Sequence, residues 1–279
     1  MSPDSQASEA LPSRRSRTLR GGRHRGDESF LLPPGSPTLV LAVPGPAGRS
    51  GAVPDELSQM IEHENTGQPA VLAYTEGAEG HLSGVLGGLR QQRADEPAAV
   101  VVPLVTGPDP IAEASVRAIV SQAPVPAVAA EPLGPHPLIA EALHDRLAEA
   151  GLARADRIRT MTMITAATGV IVVTPGDGAA VRQAEITSVL LASRLASPVF
   201  TARLDDPSAL EAAAAQLRAS GATRLAVAPH LIGPEMGAEH LPAAASHVGA
   251  HHSAPLGAHP ALARLAALRY VEALAAALS

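Results

Sequence analysis

The sequence predicts an α/β protein built from two tandem, similar units, each a small parallel sheet covered by helices, facing each other across a cleft. Three observations carry this. The stretch Glu131–Ala150 (EPLGPHPLIAEALHDRLAEA) is stated again at Ala254–Ala275 (APLGAHPALARLAALRYVEALA), with Pro132-Leu133-Gly134 returning as Pro255-Leu256-Gly257 and His136-Pro137 as His259-Pro260, an offset of 123 residues. A repeat closing one half and closing the chain marks a duplicated unit. Short continuous apolar runs alternate with helical stretches, the pattern of parallel strands buried on both faces. Finally, corresponding strands end alike, Val43 in Pro44-Gly45 and Val173-Thr174 in Pro175-Gly176.

Unit one is read over 38–150. Its strands are Thr38–Val43, Ala70–Tyr74, Ala98–Val105 and Val125–Ala130, each a short apolar run bounded by Pro or Gly. Between them lie helices over Pro54–Glu64, Gly80–Gln91 (weakened by glycine) and Pro110–Ser121. His136-Pro137 then opens the closing helix, with Pro at the first helical position. Unit two, 169–279, repeats the plan with strands at Gly169–Val173, Pro198–Ala202, Arg224–Ala228 and a weak one near Gly249–Ser253. Its helices run over Ala179–Ala196, from an Asp206 or Ser208 cap to Ser220, and from His259. Residues 151–168 join the units.

Residues 1–37 read as a disordered, Arg-rich tail. They hold six Arg against Asp4, Glu9, Asp27 and Glu28, a net of +2, so the remaining chain carries −8 of the total −6. Arg14-Arg15 is followed by no apolar segment, which rejects a twin-arginine export signal. The acidic body has only 1% aromatics, an argument against a nucleic-acid partner. Hydrophobic residues make up 46%, so the cores are packed from Ala, Val, Leu and Ile. With no Cys, thiolate metal sites, disulfides and thiol catalysis are excluded, and a cytoplasmic location is expected. No apolar run approaches the roughly 20 residues of a membrane span.

In parallel α/β sheets ligands bind at the carboxyl ends of the strands. The site is therefore expected among the loops 44–51, 75–80, 104–110, 174–179, 203–207 and 229–241. Gly176-Asp177-Gly178, after a strand and opening a helix, is half of a dinucleotide fingerprint, but Val181 and Arg203 stand where a small residue and a ribose-binding acid belong. No Lys exists to complete a Walker A motif, and there is no Gly-x-Ser-x-Gly elbow.

Two tandem four-stranded units, each closing in Pro-Leu-Gly-x-His-Pro and an amphipathic helix, resemble the sirohydrochlorin chelatases, the class II chelatases that insert Co²⁺ or Fe²⁺ into a sirohydrochlorin-type tetrapyrrole. The resemblance spans 38–278 and rests on order and spacing. Tyr74-Thr75-Glu76-Gly77-Ala78-Glu79 resembles the family's aromatic-Leu-Glu-x-Ala-Glu stretch, and Asp205-Asp206-Pro207-Ser208 its Ala-Glu-Pro-Ser. The departures are as specific. Where the family carries His-Gly-Ser-Arg after the first strand, this chain has Pro44-Gly45-Pro46-Ala47, and unit two has Pro175-Gly176-Asp177-Gly178. The family's second His is also missing, with Ile111 near its place.

The resemblance implies a tetrapyrrole ligand, a divalent metal (Co or Fe) as substrate, and no organic cofactor. It makes Glu76 the candidate catalytic acid, an acceptor of pyrrole protons or a metal ligand, although a solvated loop carboxylate reads equally well. Gly45 and Gly176, at matching strand ends, and Arg203, able to face substrate carboxylates, are the candidate macrocycle contacts. Metal ligation requires neutral imidazole. With both family positions empty, His230 and His240, with Glu235 or Glu239, are the candidate displaced metal ligands. His136 and His259 are expected to cap their helices, and His251-His252 to be edge-strand residues. Two functions stay open, a divergent metal chelatase and a non-catalytic tetrapyrrole- or metal-binding relative; the oligomeric state is left open too.

Overall fold

The computed structural model describes residues 30–107, 109–154, 167–233 and 238–279. Most of the tail, most of the joining segment and Glu235 lie outside the described residues. In the first half β1 (Thr38–Val43), β2 (Ala70–Tyr74), β3 (Ala99–Pro103) and β4 (Ala127–Ala129) form one sheet, ordered β2-β1-β3-β4. In the second half β5 (Gly169–Thr174), β6 (Val199–Arg203), β7 (Leu225–Pro229) and β8 (His251–His252) repeat that order as β6-β5-β7-β8. Every pairing is parallel, with Leu41 set against Leu72 and Val102, and Val172 against Thr201 and Ala228. The predicted tandem α/β architecture is thus the observed one.

Helices α1 (Val53–Met60), α2 (Leu82–Gly88), α3 (Pro110–Ser121) and α4 (Pro137–Glu149) belong to the first half of the sequence. Helices α5 (Gly178–Leu195), α6 (Pro207–Ala219), α7 (Leu241–His247) and α8 (Pro260–Ala277) belong to the second. Helix α1 runs on into a π-helical turn, Ile61–Thr66, stopped by the left-handed Gly67 at φ 66. The helix expected over 80–91 shrinks to seven residues: Gly84, Gly87 and Gly88 are poor helix formers, and Leu89 turns extended. Among the described residues no helix is long and apolar enough to cross a membrane.

The two closing helices are exchanged. Helix α4 packs on α5 and β7, the second sheet, while α8 packs on β3, β4, α1 and the π-helical turn of the first. Glu141 of α4 pairs with Arg194 of α5 at 3.4 Å. Tyr270 of α8, fully buried, donates its hydroxyl to the Pro37 carbonyl at 2.7 Å, just ahead of β1. One apolar core therefore joins both sheets through these helices, with Leu41 and Val102, Val172 and Ala228, Leu143 and Leu265 all within it. The outer faces bury separately, Val40 and Val101 under α2 and α3, Ile171 and Val173 under α6 and α7. Sequence order assigns each closing helix to the strands before it; the contacts place it on the other sheet. Both inner faces are equally apolar, so local pattern carries no signal for the choice. Residues 30–37, read as tail, touch the body too, with Leu32 N–H donating to the Thr66 carbonyl at 2.9 Å.

Candidate functional site

At the carboxyl edge of the first sheet the β1 and β2 loops are sewn together. Thr75 N–H donates to Val43 at 3.1 Å, Glu76 N–H to Gly45 at 3.2 Å, and Gly45 N–H to the Thr75 hydroxyl at 3.0 Å. Gly45 takes φ +88, where a side chain is strained, and a Cβ there would lie 2.8 Å from Arg49 Nη1. The candidate contact Gly45 is itself buried, with the exposed Arg49 guanidinium lying over its side-chain-free backbone. The Glu76 carboxylate is exposed beside it. Tyr74 has its pKa raised by burial first, then by Asp55 and Glu79. Neither the Pro44 nor the Ile111 side chain offers a lone pair, and Ile111 is 84% exposed at the start of α3.

The second edge differs. His230 follows β7, its N–H bonded to Val173 at 2.8 Å, and it is buried at 3% exposure. Among the described residues its Nε2 has no hydrogen-bond partner. Burial pushes its pKa down to about 4, so the imidazole is neutral across the physiological range and keeps a lone pair. The first unit covers it. Thr106 Oγ1 donates to the His230 carbonyl at 3.2 Å, and a Cβ on Gly107 would lie 3.7 Å from His230 Cε1. Nearby, Gly233 meets Val53 at the start of α1, 3.5 Å from a built Cβ. The carboxyl edges of the two sheets therefore touch through the β3 and β7 loops.

His240 stands in a different environment, exposed at the start of α7 and 3.6 Å from the Glu239 carboxylate. With Asp205 and His247 it lines a surface depression of about 370 Å³. Among the described residues no group of three or more His, Asp or Glu side chains is placed to hold a metal ion. Gly176, at φ +99, is exposed where β5 ends. The Asp177 carboxylate accepts from Ala179 N–H at 2.8 Å and Ala180 N–H at 3.2 Å, which lowers its pKa and occupies the amides that a dinucleotide phosphate would need. Arg203 is engaged, donating to both Asp205 carboxylate oxygens at 3.1 and 2.8 Å. His136 and His259 do cap their helices, Nδ1 accepting from Leu138 N–H and Ala261 N–H, each at 3.2 Å.

Three residues at these edges escaped the sequence reading. Arg49 lies two positions past the stretch matched to His-Gly-Ser-Arg, and it is in no ion pair among the described residues. Arg146 and Arg269 sit inside the repeated helices at the same 123-residue offset as His136 and His259, a signal present in the sequence.

The chain matches no protein-family model and no curated protein sequence. Solved structures resemble it. The sirohydrochlorin chelatase SirB from Bacillus subtilis subspecies spizizenii, in complex with cobalt, aligns at a TM-score of 0.61 and 15% identity, over 86% of this chain and 96% of its own. CbiX, described as the terminal enzyme for biosynthesis of siroheme in denitrifying bacteria, aligns at 0.54 and 19% identity, over 87% of this chain and 100% of its own. The fold of the chain, two four-stranded parallel α/β units in tandem, is that of sirohydrochlorin chelatases.

Proposed function

We propose that the chain is a divergent sirohydrochlorin-type chelatase of the cytoplasm, delivering a divalent metal, Co²⁺ or Fe²⁺, to a polycarboxylate tetrapyrrole held at the strand-end edges. The observation that carries the reading is His230, a buried, neutral imidazole whose Nε2 has no partner among the described residues, where the carboxyl edges of the two sheets meet. A buried polar nitrogen without a partner costs about 1–3 kcal/mol, which a ligand would relieve. His230 and His240 are the imidazole donors in this reading. Glu76 accepts pyrrole protons as the metal enters, and Gly45, Gly176 and Arg203 contact the macrocycle. A metal that is substrate must be released to pyrrole nitrogens, so a sparse donor set suits the task better than a closed cage.

The test follows Co²⁺ insertion into sirohydrochlorin by absorbance with the purified chain, with Fe²⁺ in parallel. Insertion faster than the protein-free rate is expected, and loss of that excess in Glu76→Gln. Binding of either ligand without faster insertion would favour a non-catalytic carrier. Calorimetric titration of Co²⁺ into the wild type and a His230→Ala/His240→Ala double variant tests the donors; equal affinities would remove them from the reading.

A further inference from the structure

The exchanged helices each carry one arginine that grips the opposite half. Arg146 of α4 donates through Nε and Nη2 to the Leu256 carbonyl, at 2.8 and 2.7 Å. Arg269 of α8 donates to the Pro132 carbonyl at 2.9 Å and the Leu133 carbonyl at 3.3 Å. Each guanidinium is braced by the glutamate three residues on, Glu149 at 2.7 Å and Glu272 at 2.8 Å, and these acids share the 123-residue offset. Side-chain exposures of 19% and 16% keep water from competing strongly for either arginine.

The gripped carbonyls belong to the two Pro-Leu-Gly turns, and each turn is bonded onward to a strand-end loop. Leu256 N–H donates to Leu231 at 2.8 Å, and Gly257 N–H to Ile232. Leu133 N–H donates to Val105 at 3.1 Å, and Gly134 is pressed on the Thr106 carbonyl. Thr106 then bonds to His230, which closes a ring through both halves. We propose that Arg146 and Arg269 are positioning residues acting across the repeat. Arg146 holds the 230–233 loop that carries His230, and Arg269 holds the 104–107 loop that covers it.

The inference about ligand affinity rests on the chelatase reading; the inference about the loops does not. Hydrogen exchange of the full chain separates the two. In Arg146→Met, the Leu256 and Gly257 amides should exchange about tenfold faster while the Leu133 amide changes by less than about twofold. Arg269→Met should show the reverse. Lysine in place of either arginine, with one compact head instead of a fork, should restore part of the protection and serves where methionine prevents folding. Equal loosening of both loops in both variants, or of neither, overturns the assignment. Co²⁺ titration supplies the second arm: Arg146→Met should weaken binding several-fold more than Arg269→Met does. Unchanged affinity despite a loosened 230–233 loop removes the positioning role. No Co²⁺ binding by the wild type, with the crossed exchange pattern intact, overturns the chelatase reading and leaves the loop assignment standing.

Discussion

The two halves keep one frame and differ at its working edge. Strand order, the Pro-Leu-Gly turns, the histidine caps and the gripping arginines all recur. At the first edge the loops are rich in glycine and proline, with an exposed acid and a guanidinium that is in no ion pair among the described residues. At the second, the cation Arg203 is neutralised by Asp205, and a buried imidazole nitrogen has no partner among the described residues. Among the described residues, all three buried side-chain polar atoms that lack partners, Gln183 Oε1, Thr187 Oγ1 and His230 Nε2, belong to the second half. Native proteins leave few such groups, and each calls for a cause. The contrast teaches that the duplicated frame is held by backbone and packing, which both copies need, while the side chains at the edges have diverged independently.

The largest effect that could break this picture lies in the repeated Pro-Leu-Gly. The same glycine serves two purposes. At Gly134 a Cβ would overlap the Thr106 carbonyl, a backbone atom that cannot step aside. At Gly257 the backbone is left-handed, φ +63, and the nearest obstacle is a side-chain atom, Arg146 Nη2 at 3.1 Å, which can give by a few tenths of an ångström where a backbone carbonyl cannot. Gly134→Ala should therefore cost about 3 kcal/mol or more, and Gly257→Ala about 1 kcal/mol. For a chain of this size that separates the thermal midpoints by several degrees. Equal losses would show that the turns are equivalent after all.

Much of the frame was legible because it is written locally. Strands such as Leu39–Val43 and Val170–Val173 are uninterrupted apolar runs ended by Pro-Gly, and the His-Pro openings mark caps and first turns together. The exchange of α4 and α8 was not legible, since it depends on which of two equally apolar surfaces a helix meets. The edge residues were legible as types and positions but not as states. Arg203 reads in sequence as a free cation, yet Asp205, two residues on, accepts from two of its three nitrogens. His230 and His240 read as a pair on one loop, yet one is buried behind Gly107 and the other is in solvent. Burial and pairing arise from chain segments far away in sequence, Thr106 above all.

A smaller effect concerns pH. His136 and His259 both have lowered pKa values, by burial first and then by Arg269 and Arg146 respectively. In the unfolded chain each imidazole takes a proton near pH 6.5, whereas the folded form resists until lower pH. Below that point the unfolded state binds more protons, so stability is greatest above about pH 6.5 and falls as the pH drops toward the lowered folded values. His230 contributes with the same sign. Asparagine keeps an N-cap without titrating. His136→Asn and His259→Asn should each flatten the acid limb of a denaturation-against-pH curve, and the double variant should flatten it most. An unchanged slope in the double variant would show that neither cap is a coupled group.

The smallest effect on stability, and the sharpest on the contrast between edges, concerns their cations. Arg203 is already paired: Asp205 takes its Nε and Nη2 donors and offsets its charge, and the pair is exposed, with side chains at 40% and 58%. Arg49 is in no ion pair among the described residues and lies over the bare backbone of Gly45, with Glu76 alongside on the neighbouring loop. A polycarboxylate macrocycle thus meets the less compensated guanidinium at the first edge, while at the second it shares one with a carboxylate already in place. Removing either surface charge should change folding stability by less than about 0.5 kcal/mol. Binding should separate them. With uroporphyrin as a non-reacting polycarboxylate probe, Arg49→Gln should weaken affinity about five- to tenfold, on the order of one charge-assisted hydrogen bond, and Arg203→Gln by less than about twofold. The weakening should shrink as salt is raised, since exposed charges are screened beyond about 10 Å at 0.1 M. A larger loss in Arg203→Gln would mean that Asp205 yields to the ligand and that the second edge, not the first, receives the carboxylates.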